Sequence, residues 1–177
     1  MSYRFETNHD RAALTAMAKC LRKTVRRKKS RKSHAWGWIV EAMAIFLLVL
    51  SCRDGDGLNV GTTITVVMAV VLPIVLIFED RINGAIAGRS LLKGTEHAVA
   101  VFDSENPEFF VSETAVGKTE FPYNSILVIA ETENYFVFIL SAIHGQVYDK
   151  RALSGGDVDS FRQFICERTG KEIVPMK

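Results

Sequence analysis

Residues 58–78 read LNVGTTITVVMAVVLPIVLIF, twenty-one positions without a charge. A helix on a soluble protein hides one stripe and shows the rest to water, so a segment apolar on every face needs apolar surroundings on every side. About 20 such residues cross the hydrocarbon core of a bilayer. Residues 35–51, AWGWIVEAMAIFLLVLS, offer a shorter partner with one charge, Glu41, and with Trp36 and Trp38 placed as an interfacial belt. The chain is therefore expected to be an integral membrane protein built on a two-helix hairpin. A cleaved signal peptide is disfavoured, because the basic stretch begins far from Met1 and no small-residue cleavage site follows Leu50.

The formal charge of +2 conceals a strong segregation. Residues 1–34 carry eleven Lys/Arg against two acidic residues, residues 35–94 four against five, and residues 95–177 seven against thirteen. Nine of the basic residues fall between Lys19 and Lys32, just before the first span. The connecting loop has only Arg53, and Arg81, Arg89 and Lys93 follow the second span. Lys/Arg near span ends stay on the cytoplasmic side, so both termini are expected there, with the Asp-Gly-Asp-Gly tract at 54–57 turning on the far side.

Arg26, Arg27, Lys28 and Lys29 are the candidate contacts to anionic lipid headgroups, each contributing about 1 kcal/mol near an anionic leaflet. Between Lys19 and Lys32 there is no aromatic residue on which a base could stack, so nucleic acid is not an expected partner. Upstream, Leu14, Met17, Ala18 and Leu21 make the apolar side of a helix starting at Asp10, expected to lie along the membrane surface. Glu41 is the intramembrane polar candidate. It is expected to snorkel toward His34 or the basic run, to face a partner helix, or to stay protonated, with structural pairing favoured. Pro73 is expected to kink the second span.

Beyond residue 95 the pattern alternates. Strands are expected at 97–103, 109–114, 118–123, 126–131, 135–141 and 146–150, with 2–7 as a further strand of the same sheet. A helix over 156–169 follows, capped by Asp157 and ended by Gly170. The expected fold class is a membrane α-helical hairpin plus an α+β part: a small antiparallel β-sheet or barrel closed by a C-terminal helix, on the plan of a pleckstrin-homology-like (PH-like) domain. The divisions are 1–34 (strand and basic amphipathic helix), 35–78 (hairpin), 79–94 (juxtamembrane linker) and 95–177 (β domain). Val158, Phe161 and Ile165 are expected to seat on Val128, Ala130, Val137 and Ile139, with the opposite strand faces in water.

The tail resembles the YcxB-like family of bacterial membrane proteins. The resemblance lies in Phe110-Val111-Ser112-Glu113, in Phe121-Pro122-Tyr123-Asn124-Ser125-Ile126, and in Glu131 followed by Glu133-Asn134-Tyr135-Phe136. It continues through Gln146-Val147-Tyr148-Asp149-Lys150-Arg151-Ala152-Leu153 to Phe161 and Phe164. Lys150-Arg151 match an isoleucine-proline-lysine-arginine type of sequence usual before the closing helix, while Tyr148-Asp149 depart from it. The resemblance implies two spans, a small β-rich domain and a bacterial inner-membrane location, and it carries no activity.

No catalytic constellation stands out. Cys20, Cys52 and Cys166 are unpaired in spacing and the four histidines are scattered, so no metal, cofactor or disulfide framework is expected. Ser154-Gly155-Gly156-Asp157 reads as a helix N-terminus, and Glu131 with Glu133 as a solvated hairpin tip. Lys150 and Arg151 are the candidate recognition pair, exposed between an edge strand and the helix. The expected function is a non-enzymatic membrane adaptor that binds a protein partner or a second copy of itself. An accessory role in membrane transport or export is the alternative, and a membrane enzyme the least favoured reading.

Overall fold

The computed structural model describes residues 2–53 and 59–176. Its first elements are β1 (Ser2–Asn8), α1 (Arg11–Lys23), α2 (Arg27–Arg53), α3 (Val60–Ile77) and α4 (Glu79–Ser90). There follow β2 (His97–Asp103), β3 (Phe109–Thr114), β4 (Gly117–Pro122), β5 (Val128–Glu131), β6 (Tyr135–Ile139), β7 (Gly145–Asp149) and β8 (Leu153–Ser154). Helix α5 (Val158–Thr169) and β9 (Ile173–Pro175) close the chain.

Helices α2 and α3 are long and apolar enough to cross a membrane, and almost none of their apolar windows is buried in the protein, 6% for α2 and 0% for α3. They pack on each other as a hairpin, with Leu76 against Gly37. Helix α3 runs unbroken through Pro73. The expected turn at 54–57 lies outside the described residues.

The hairpin is inserted between two neighbouring strands of one sheet. β1 pairs antiparallel with β2 along its whole length, from Ser2 opposite Asp103 to Asn8 opposite His97. The first sheet has the order β4-β3-β2-β1-β8, and the second the order β7-β6-β5-β9, with β9 parallel to β5. This differs from a single meander: there are two facing sheets, and one pair is parallel.

Alternation on β1 buries Tyr3, Phe5 and Thr7, and on β2 Ala98, Ala100 and Phe102. Of these, Tyr3, Phe5, Ala100 and Phe102 share one core with Ile129, Phe136, Phe138 and Tyr148 of the second sheet and with Phe161 and Ile165 of α5. Ring pairs bind the sheets together: Phe102 lies 5.4 Å from Tyr148 and 5.7 Å from Phe138, and Phe5 5.7 Å from Tyr148, while Phe5 also lies 4.7 Å from Phe161 of α5. Helix α5 begins on a capping box between Asp157 and Ser160 and ends on Gly170 in the left-handed region (φ 64°), as expected.

The expected contacts of α5 are corrected by one strand position. Phe161 and Ile165 meet Ile129, Phe136 and Phe138, not Ala130, Val137 and Ile139. Those latter three face the other way and pack with Ala13, Cys20 and Leu21 of α1. All five residues of β6 are consequently buried. Helix α1 is thus a third layer of the folded domain, and its Leu21 side meets a sheet instead of lipid. The expected linker at 79–94 is also corrected, since most of it is α4, packed along α1. The two helices come so close that a Cβ on Gly84 would sit 2.9 Å from the Thr15 backbone.

Candidate functional site

Two clusters of charged groups stand out, one inside the β domain and one at the joint between domain and hairpin. In the first, Glu131 at the end of β5 receives Lys150 Nζ at 2.8 Å and a two-pronged contact from Arg162 on α5, with Nη2 2.5 Å from Oε1 and Nε 3.0 Å from Oε2. Side chains of Glu131 and Lys150 are only 13% and 12% exposed. Burial alone would push the Glu131 carboxyl up, but the hydrogen bonds from Arg162 and Lys150 outweigh it and hold the group below its ordinary value. Lys150 also lies 5.4 Å from the centre of the Phe136 ring. The expectation of a solvated Glu131 and an exposed Lys150 is therefore corrected: the pair fastens β5, the segment after β7, and α5 to one another.

Arg151 behaves as expected in part. It is 66% exposed and forks onto Asp149 through Nε at 2.9 Å and Nη2 at 2.6 Å, beside the Tyr135 ring. The Asp149 carboxyl is held below its usual range chiefly by that guanidinium. Lys150 and Arg151 are adjacent in sequence and separate in role. Only Arg151 presents a charge outward.

The Ser154–Asp157 tract has a packing reason. Gly155 adopts φ +87°, and a Cβ there would fall 2.0 Å from the Ser2 carbonyl oxygen. The turn therefore lets the start of β1 nest against it.

At the joint, Arg22 near the end of α1 forks onto Asp80 of α4, with Nε and Nη2 each 2.6 Å from a carboxylate oxygen. His34 Nε2 lies 2.5 Å from Glu79 Oε2. The acidic first turn of α4 thus meets both the end of α1 and the head of α2, and the Asp80 hydrogen bond holds the Arg22 guanidinium above its ordinary value. Burial between α1 and the second sheet pushes the Cys20 thiol up to about 11, which keeps it protonated. Arg26, Arg27, Lys28 and Lys29 are exposed around the start of α2. Sequence reasoning missed Glu79 and Asp80, although two carboxylates directly after an uncharged span, opposite a basic run, are a legible signal.

Glu41 lies within the hairpin, 5% exposed, and its Oε2 has no hydrogen-bond partner. His34 is engaged with Glu79, so the expected His34–Glu41 contact is absent. Among the described residues no group of three or more His, Cys, Asp or Glu side chains is placed to hold a metal ion.

A family model described as YcxB-like protein matches residues 106–165, from the turn before β3 to the second half of α5. That segment is YcxB-like. It covers the second sheet except β9, together with β3, β4, β8 and the Glu131–Lys150–Arg162 cluster; β1, the hairpin and the joint lie before it. No curated protein and no solved structure matches the chain.

Proposed function

We propose that this chain is a membrane-anchored, non-enzymatic adaptor that holds a PH-like domain against the cytoplasmic face of a bacterial inner membrane and presents it to a protein partner. The observation that carries the reading is the insertion of the hairpin between β1 and β2. A tethered domain would swing on a linker. Here β1, α1 and α4 fix the sandwich to the base of the hairpin, and both ends of the hairpin emerge on the side where the sheet is formed. The basic run supports a cytoplasmic side. The surface offered to a partner is β4, the outer strand of the first sheet, where Gly117, Lys118, Thr119 and Glu120 are all exposed. Such an edge can accept an added strand.

Topology reporters inserted before Ala35 and after Gly94 should both read cytoplasm, and photo-crosslinkers at Lys118 or Glu120 should trap a protein in cells. An exterior signal from the second fusion, or no adduct from any β4 position, would remove the adaptor reading.

A second reading, an accessory subunit of a transport or export system, is favoured by the unpartnered Glu41 oxygen inside the hairpin. Glu41→Gln should then impair transport of the system served while leaving the domain folded. A variant with wild-type phenotype and oligomeric state would dispose of it.

A further inference from the structure

Helix α1, the head of α2 and α4 enclose a groove of about 290 Å³. Its walls are of two kinds. Met17, Leu21, Ile86 and Ala87 make an apolar side, and Arg26, Lys29, Ser30, Ser33 and Asn83 a polar one, where the Glu79 carboxylate also stands, held by His34 and Arg22. Positions 26, 29, 30 and 33 recur at the spacing of a single helical face, so this is the side of the basic segment that looks toward α4. Arg22 also reaches the groove, but its charge is taken by Asp80. Among the described residues neither Arg26 nor Lys29 has an ion-pair partner. Arg27 and Arg31 line a different groove with Pro175 and Met176, and Lys28 and Lys32 line neither.

The height of the groove matters as much as its charge. Ser33 directly precedes His34, which is bound to Glu79, and Trp36 lies three positions on, 60% exposed at the start of the apolar run. With α2 and α3 across a bilayer, the groove sits at the level of the phosphates. Its volume falls just under the roughly 300–1,000 Å³ of pockets that enclose a drug-sized molecule. It has room for a headgroup, and the chains of a lipid would continue down the exposed flank of the hairpin.

We infer that this groove binds the phosphodiester headgroup of one anionic phospholipid, with Arg26 and Lys29 supplying charge-assisted hydrogen bonds and Ser30, Ser33 and Asn83 neutral donors. The inference rests on the membrane reading and names a ligand for part of the basic segment. It also makes the lipid a structural link, because α1 is a layer of the β domain and Ile143, from the turn between β6 and β7, stands at the same groove.

The test uses the full chain in phosphatidylcholine nanodiscs doped with phosphatidylglycerol, with retained lipid counted by native mass spectrometry. Arg26→Gln/Lys29→Gln should reduce retained phosphatidylglycerol at least tenfold. Lys28→Gln/Lys32→Gln removes the same charge from the other face and should change it less than twofold. Ala87→Phe fills the groove without altering charge and should match the first double variant. Equal losses from the two double variants would overturn the site in favour of general attraction. Competition by millimolar inorganic phosphate as effective as that by added lipid would overturn the lipid as ligand. Flotation of the wild-type chain with phosphatidylcholine liposomes checks the membrane reading separately: a chain that stays in the pellet would bring that reading down, whatever the variants do.

Discussion

Helix α3 and strand β6 are built from the same kinds of residue and live in opposite surroundings. All eighteen positions of α3 escape burial within the protein, whereas all five of β6 are buried. In β6, alternate side chains serve two different cores: Phe136 and Phe138 look into the space between the sheets, and Tyr135, Val137 and Ile139 look toward α1. In α3 only α2 lies alongside, and that contact buries none of its residues. An apolar run therefore reports that a segment avoids water, and its length reports what replaces the water. Five residues fit between two protein layers, and eighteen on an unburied helix are long and apolar enough to cross a membrane.

The strongest way to break this comparison is to remove a layer from the β domain. A fragment of residues 95–177 lacks β1, which carries Tyr3 and Phe5 in the core and stands between β2 and β8. It should show no cooperative melt, while the full chain in detergent melts in one transition by near-ultraviolet circular dichroism. A cooperative melt of the fragment would mean that β1 and α1 are dispensable layers.

Next in size is a pair of truncations, one in each region. Phe161→Ala removes a fully buried ring touching both sheets and should cost about 3–5 kcal/mol, much of the roughly 5–15 kcal/mol that holds a small domain. Val67→Ala, on the 53% exposed flank of α3, should stay within about 0.5 kcal/mol in urea unfolding of the detergent-solubilised chain. A large loss from Val67→Ala would sharpen the comparison by revealing a protein neighbour on that flank.

The smallest effects separate Lys150 from Arg151. Lys150→Met strips a partner from a largely buried carboxylate and should cost about 1–3 kcal/mol, whereas Arg151→Ala should leave the melting midpoint unmoved. Because the folded Glu131 carboxyl lies below its ordinary 4.5, its contribution is complete above that pH and disappears as pH falls through the folded value. Acid titration of Glu131→Gln should therefore show a shallower loss of stability below pH 4.5 than wild type. Parallel curves would place the acid sensitivity elsewhere.

Much of the architecture was legible. The uncharged run at 58–78, the strands at 97–103 and 109–114, and the helix between Asp157 and Gly170 each carry a local signal, and the structure moves no expected strand or α5 boundary by more than two residues. What escaped was the partner of each apolar face. Residues 135–139 contain no strongly polar position to say which side meets water, as suits a strand buried on both faces. The stripe Leu14–Leu21 suits a sheet and a membrane equally well. Glu131, Lys150 and Arg162 meet across 31 residues of sequence, and Arg22 and Asp80 across 58, separations over which no periodicity speaks.

The insertion of the hairpin between β1 and β2 also bears on how the protein is made. β1 is synthesised before both apolar helices, yet its neighbours, residues 97–103 and 153–154, are synthesised only after them. With the hairpin in a membrane, as proposed, the first strand would wait, unpaired, while the hairpin inserts, and ordering contacts this distant in sequence slows folding. The same wait acts as proofreading. If the hairpin were inserted with its ends on opposite sides, β1 could never reach β2, the Tyr3 and Phe5 rings would find no core, and the misassembled chain would remain visibly unfolded to the cell's proteases. Correct topology is thereby read out as a completed sheet.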